Sequence, residues 1–175
     1  MTKKERIKAA VSGQKPDCLP YSLWTHMPGI DLDPVLLAEK TYDFGCEVDY
    51  SDIERGGVAR VTKTPVHEPE DWLTLKKCSC HEGSLHRELA SLELLLQKVK
   101  GEDVPVVFTV FSPATTADKL SGKKMLSHIR SGHGEMVKKA LEIITETTME
   151  VAAEAIRLGA DGIFFASQMS SYDTM

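Results

Sequence analysis

The chain has 175 residues and a net charge of −5, from 21 Lys and Arg against 26 Asp and Glu. Hydrophobic residues make up 42% and charged residues 27%, close to the averages of globular proteins, which excludes the disordered, collagen-like and disulfide-scaffold classes. The basic residues are scattered, so the charge pattern of a nucleic-acid-binding protein is missing, and we expect no nucleic-acid partner.

The apolar stretches are all shorter than the roughly 18–20 residues that span a bilayer, so no membrane contact is expected. The basic N-terminal segment is followed by polar residues 12–17, where a signal peptide would need an apolar run. We therefore expect a cytoplasmic protein. Its four cysteines are expected to be reduced thiols or metal ligands rather than disulfides.

The first elements are a helix and a strand. Thr2 and Glu5 have the spacing of a capping box, and Gly13 suits the end of the helix that this box begins. The short apolar run 19–24 contains two aromatic residues and predicts a buried strand. Residues 25–29 then form a loop at the end of that strand.

A second helix is predicted from Asp33, its N-cap, to Tyr42. Two alternating segments around Arg55-Gly56-Gly57 then predict a β-hairpin insertion over residues 44–64. The helix meets this hairpin between Asp43 and Phe44 with almost no linker, which is unusual for connections between elements.

The remaining pattern alternates helices with apolar strands. Residues 68–73 predict a short helix, Ser84 can cap a helix to Val99, and residues 135–158 predict the longest helix. The continuously apolar segments 104–111 and 162–166 predict strands buried in a parallel sheet. The alternation favours a parallel α/β protein of the barrel or doubly wound kind.

Functional sites of such proteins gather at the carboxyl ends of the strands. The polar segments in those positions are residues 25–29, 112–116 and 167–173. They are the places where we look for substrate-binding side chains.

Four motifs, in this order and spacing, resemble the uroporphyrinogen decarboxylase superfamily, which includes porphyrinogen decarboxylases and corrinoid-dependent methyltransferases. The motifs are Thr2-Lys3-Lys4-Glu5-Arg6-Ile7-Lys8-Ala9-Ala10 with Pro16-Asp17-Cys18-Leu19-Pro20, Phe44-Gly45-Cys46-Glu47, Phe111-Ser112-Pro113-Ala114-Thr115, and Ala155-Ile156-Arg157-Leu158-Gly159-Ala160-Asp161-Gly162-Ile163.

The resemblance implies a (β/α)₈ barrel of about 340 residues, of which residues 1–175 supply roughly the first half as a single partial domain. In the family, the helix begun at Asp33 continues, and a barrel strand and a loop precede the hairpin. Because this stretch is lacking here, we expect a segment to be missing between Asp43 and Phe44.

Members that decarboxylate porphyrinogens bind the substrate's carboxylates with two arginines after the first strand. Thr25 and Gly29 stand in those positions here, and Lys119 and Gln168 fall near the places of a family tyrosine and serine. A tetrapyrrole with eight carboxylates needs guanidinium clamps, so this departure disfavours porphyrinogen decarboxylation.

The resemblance then favours a methyltransferase that moves a methyl group from a corrinoid protein to a thiol or similar acceptor. Its zinc ligands, a His-x-Cys motif and a later cysteine, would lie beyond Met175, so no metal ligand is assigned in this chain. Two alternatives stay open: a decarboxylase of uroporphyrinogen or a smaller carboxylic acid, and a non-catalytic protein that binds a tetrapyrrole or corrinoid. The expected partners are a small-molecule substrate and a corrinoid protein, with a homodimer left open.

The catalytic residues stay unassigned, and six side chains are candidates for substrate binding. His26 could act as an acid or bind a carboxylate, and the alternative for it is a hydrogen-bonded structural histidine. The hydroxyls of Thr115 and Thr116 could instead cap the following helix. The six candidates are Trp24, His26, Thr115, Lys119, Gln168 and Tyr172.

Three other features are not assigned to a functional site. Cys78, Cys80 and His81 have poor geometry for one tetrahedral metal ion, because a strand would turn His81 away from the two thiols. His128 is expected on a solvated surface, and so are the other three histidines that are neither His26 nor His81. Asp161 is interpreted as a turn residue before a strand rather than a catalytic acid.

Overall fold

A computed structural model describes residues 1–22, 27–47, 53–55 and 64–171. The first helix, α1, covers Lys3–Val11, and the predicted capping box is present, with Thr2 Oγ1 accepting from the Glu5 backbone and Glu5 accepting from the Thr2 backbone. Helix α2 covers Pro34–Glu47, and Asp33 Oδ1 caps it by accepting from the backbone N–H groups of the second and third helical residues.

Three strands form one parallel sheet in the order β1-β2-β3. They are β1 (Ile53–Arg55), β2 (Val106–Phe111) and β3 (Gly162–Ala166). Strand β2 lies in the centre, with Ile53 opposite Val106 on one side and Phe111 opposite Ala166 on the other. The parallel pairing confirms the α/β class and the assignment of the last two strands.

Helices connect the strands. A 3₁₀ helix covers Pro69–Thr74, α3 covers Gly83–Lys98, and α6 covers Gly134–Leu158. Between β2 and α6 lie α4 (Pro113–Leu120), α5 (Met125–His128) and a π-helical turn (Ile129–His133). The long helix α6 ends at Gly159, whose φ of 118° places it in the left-handed region that glycine tolerates.

The core lies between one face of the sheet and the helices. Val106, Phe108 and Val110 are buried and cluster with leucines of α3 and with Val151 and Ala155 of α6. Because side chains alternate across a strand, the intervening residues of β2, among them Phe111, point to the opposite face. That second face of the strand is only half-buried.

The predicted hairpin over residues 44–64 is wrong where the structure describes it. Residues 44–47 continue α2, and Ile53–Arg55, predicted as the approach to a turn, is the strand that pairs with β2. Four residues of alternating character do not distinguish a strand from a last helical turn, and extending an existing helix needs no new nucleation. The rest of the hairpin lies outside the described residues, and the missing segment at Asp43–Phe44 stays a prediction.

The predicted strand at residues 19–24 is also wrong over its described part, because residues 19–22 have no strand structure. Leu19 is 81% exposed and Tyr21 is 50% exposed. A short apolar run becomes a buried strand only when a neighbouring strand pairs with it, and the sheet of the described residues contains only β1, β2 and β3.

No helix in the described part of the chain combines the length and the apolar character needed to cross a membrane.

Asp161 joins the beginnings of β2 and β3, as expected for a turn residue. Its Oδ2 accepts from the Val106 backbone N–H at 2.9 Å, and its own N–H donates to the Val106 carbonyl at 2.7 Å. On the exposed side, Oδ1 pairs with Lys4 Nζ at 3.0 Å. The carboxylate therefore has one contact to the sheet and one at the surface.

We expect Asp161→Ala to lower the free energy of unfolding by about 1–3 kcal/mol, because it removes the acceptor of a sheet N–H. Lys4→Met is the matched control, since it removes only the exposed partner of the same carboxylate and should change the free energy by less than about 1 kcal/mol. Urea denaturation measures both. Equal losses would contradict the structural role of the Val106 contact.

Candidate functional site

The carboxyl ends of β2 and β3 lie side by side. Phe111 is paired with Ala166 in the last position of the register, and the next backbone N–H, of Ser112, donates to the Ala166 carbonyl at 3.0 Å. We call the residues around this edge, Phe111, Ser112, Thr115, Lys119 and Gln168, the strand-end site. Its position is the one in which parallel α/β proteins bind ligands.

A buried hydroxyl pair holds the two strand ends together. Ser112 is the N-cap of α4, with Pro113 at the first helical position, and its Oγ accepts from the Thr115 N–H at 3.1 Å. The Ser112 hydroxyl donates to Thr115 Oγ1 at 2.9 Å. Thr115 Oγ1 also accepts from the Gln168 backbone N–H at 3.0 Å, which ties the segment after β3 to the beginning of α4.

Thr115 therefore serves the framework of the site. Its side chain is 1% exposed, and its oxygen already accepts two hydrogen bonds. The helix begins at Pro113 rather than near Ala117, so residues 113–116, predicted as a loop, are its first turn. Ser112, not Thr115 or Thr116, is the capping residue. The Ser-Pro dipeptide was the available signal for this earlier start.

Lys119 places a positive charge at the same edge. It lies in the last turn of α4, is half-buried, and holds Nζ 4.8 Å from the centroid of the Phe111 ring. This distance is within the range of a cation–π contact. Phe111 was not predicted as a site residue, because only the structure shows that a lysine eight positions later returns to its ring.

The other candidates are distributed unevenly. Gln168 is exposed beyond β3, with its backbone held by Thr115 and its side chain on the surface. Trp24, His26 and Tyr172 lie outside the described residues, so their roles stay predictions. The structure thus brings together three of the six predicted residues, namely Thr115, Lys119 and Gln168.

His128 is buried, which corrects the expectation that it is solvated. It is 8% exposed, and its Nδ1 accepts a hydrogen bond from Trp72 Nε1–H at 3.0 Å, with the two rings in an edge-on arrangement. A buried tryptophan N–H requires an acceptor, and His128 provides it. Trp72 belongs to a second apolar cluster, in which the 3₁₀ helix packs with α4, α5 and α6.

Cys78, Cys80 and His81 lie in different surroundings. Cys80 is 2% exposed and its backbone N–H donates to Glu150 Oε1 at 3.2 Å, whereas Cys78 is exposed. The pKa of Glu150 is lowered to about 2, chiefly by its hydrogen bond with Lys77. Burial, and then a hydrogen bond to Glu150, raise the pKa of the Cys80 thiol. Across residues 1–22, 27–47, 53–55 and 64–171, no three His, Cys, Asp or Glu side chains are placed to share one metal ion.

Comparison with known proteins finds one matching family and a solved structure similar to the whole chain. The model of the family described as uroporphyrinogen decarboxylase (URO-D) matches residues 36–174. A solved methyltransferase from Methanosarcina mazei superposes with a TM-score of 0.84 at 21% identity. The match covers 100% of this chain and 61% of the methyltransferase, so this chain spans less than two thirds of that protein. No curated protein matches the chain.

We expect Thr115→Val to lower the free energy of unfolding by about 1–3 kcal/mol, because the Ser112 hydroxyl and the Gln168 N–H lose their acceptor in a buried position. Thr116→Val is the matched control, the same change at the next residue, and should cost no more than about 0.5 kcal/mol. Thermal or urea unfolding of both variants tests this. If the two variants are equally stable, the hydroxyl pair does not hold the strand ends.

We expect Cys80 to react with iodoacetamide at least about tenfold more slowly than Cys78 at pH 8, because it is buried and its raised pKa leaves little thiolate. Peptide mass spectrometry over a time course gives both rates, and exposed Cys18 is the control. The Cys80 rate should rise only above the ordinary pKa range of a cysteine. Equal rates for Cys78 and Cys80 in the folded protein would contradict the burial and the raised pKa of Cys80.

Proposed function

The chain belongs to the uroporphyrinogen decarboxylase family, and we propose that within this family it acts as a methyltransferase that moves a methyl group from a corrinoid protein to a thiol or similar acceptor. The family model covers most of the chain. The likeness to the Methanosarcina mazei methyltransferase supports this choice of branch. The proposed activity is that of a whole enzyme, and the part of it that this chain contributes is the strand-end site.

The same proposal extends the three-stranded sheet to a (β/α)₈ barrel. The strands are parallel and their order in the sheet is their order in the chain, which is the order of barrel strands. Phe164 and Phe165 of β3 point to opposite faces, yet they are 50% and 55% exposed. A further strand and helix beside β3 would cover both rings.

The observation that carries the methyltransferase proposal is the charge of the strand-end site. The segments 111–120 and 166–171, which begin at the two strand ends, contain one cationic side chain, Lys119, and one acidic side chain, Asp118. A porphyrinogen presents many carboxylates, and each would need its own cation or hydrogen-bond donors. A single ammonium, accompanied by one carboxylate and by neutral hydroxyl and amide groups, fits a small acceptor with at most one anionic group.

The chemistry proposed is nucleophilic transfer. The acceptor thiolate attacks the methyl carbon on the corrinoid, so a sulfur–carbon bond forms and the carbon–cobalt bond breaks with its electron pair remaining on the corrinoid. Zinc, when bound, would hold the acceptor sulfur as thiolate. The described residues do not fit a zinc site, so no step here is assigned to the metal. This chain's part is to hold and orient the acceptor at the ends of β2 and β3.

The test is transfer from free methylcobalamin to mercaptoethanol in the presence of Zn²⁺. We expect a thioether product by mass spectrometry and demethylation of the corrinoid by its visible spectrum, both above protein-free and heat-denatured controls. Lack of transfer together with carbon dioxide release from uroporphyrinogen would overturn the proposal in favour of a decarboxylase. Lack of both reactions, with corrinoid retained on gel filtration, would overturn it in favour of a binding protein.

A further inference from the structure

Among the described residues, Lys119 has no partner in an ion pair. Its Nζ lies 4.8 Å from the centroid of the Phe111 ring. In the described chain, ion pairs within 4.0 Å involve other cations, such as Lys4, Lys40 and Lys77, and none includes Lys119. An aromatic face attracts a cation but carries no net charge, so no contact within the described part of the chain neutralises this ammonium.

The position of the ring decides which way this charge faces. The core-facing residues of β2 are Val106, Phe108 and Val110, so Phe111 points to the face away from α3 and α6. Phe111 is also the last residue of the strand. The ammonium therefore lies at the carboxyl end of the open face of the sheet, beside the paired end of β3 at Ala166.

The local framework keeps the lysine at that edge. Helix α4, which carries Lys119, is anchored at its beginning by the buried Ser112 and Thr115 hydroxyls and by the Gln168 N–H. At its end, the Ser121 hydroxyl donates to the Ala117 carbonyl at 3.0 Å. Both ends of a helix of 8 residues are thus held by hydrogen bonds, and Lys119 lies between them.

We propose that Lys119 binds one carboxylate of the small-molecule substrate at the strand-end site, with Phe111 as the ring that positions its ammonium. This inference rests on the proposed function, because it takes the ligand to be the substrate of that reaction. It adds the class of the substrate, a small molecule with a carboxylate. An ammonium carries three N–H donors, and those turned away from the ring can donate to a carboxylate. The ammonium of a lysine is a single point charge and lacks the two parallel N–H donors of an arginine. It therefore recognises one anionic group rather than several.

The test compares three small probes on the intact chain by ligand-observed NMR titration. Thioglycolate carries a thiol and a carboxylate. Mercaptoethanol carries the thiol with a neutral hydroxyl in place of the carboxylate, and glycolate carries the carboxylate with a hydroxyl in place of the thiol. We expect thioglycolate and glycolate to bind roughly fivefold more tightly than mercaptoethanol, and we expect the preference to weaken as salt is raised.

Lys119→Met should abolish the preference for carboxylate, since it keeps an apolar chain against Phe111 and removes the charge, whereas Lys119→Arg should retain it. The matched control is Lys138→Met on the exposed side of α6, which should bind like the wild type. Circular dichroism checks that each variant is folded. If Lys119→Met folds and keeps the preference, or if Lys138→Met loses it equally, the proposal is overturned.

The binding measurement needs no turnover, so it separates this inference from the proposed methyl transfer. Glycolate binding that depends on Lys119, without any thiol methylation, would support the carboxylate site and refute the transferase. Thiol methylation together with equal binding of all three probes would support the transferase and refute the carboxylate site. A shift of the Phe111 ring resonances on addition of glycolate would place the ligand at the proposed edge, and unchanged Phe111 resonances at saturation would overturn that placement.

Discussion

The pairing of β2 on both sides is the constraint on which the rest of the structure depends. Its core-facing residues pack on α3 and α6, and this packing determines the direction of every other side chain on the strand. A shift of one residue would turn Phe111 into the core and bring the polar Thr109 with it. The register therefore determines where the strand ends, which residue caps α4, and which ring Lys119 contacts.

Elements with a strong pattern of their own could be predicted from the sequence. Helix α6 and strand β3 were predicted within one residue, because 25 residues of helical periodicity and a short apolar run after a glycine need no knowledge of their partners. The segments at 19–22 and 44–47 could not, since their structure depends on which strand or helix lies beside them. Short apolar or alternating runs carry no information about that neighbour.

The candidate site divides in the same way. Its place at the carboxyl ends of two strands follows from the parallel topology, which the alternation of elements predicts. The role of Thr115 depends on a helix that begins about four residues earlier than expected, so that its hydroxyl bonds within the framework of the site. The burial of His128 has no local signal, because its partner Trp72 is 56 residues away in the chain. The local sequence pattern does not predict contacts between segments that are distant in the chain.

The strand-end site separates side chains that hold the framework from one that is free to recognise a ligand. Thr115 has both of its acceptor positions occupied by Ser112 and Gln168, so a substrate would have to break the link between the strands to use them. Lys119 has no ion-pair partner among the described residues, where it contacts the uncharged Phe111 ring, and its field extends about 8–10 Å into solvent at physiological salt. Selection at this edge therefore depends first on the charge of the incoming molecule and only then on its shape. Under the proposed function, a substrate with many carboxylates would be disfavoured, because its additional charges would lose water without gaining a further cation at the described strand ends.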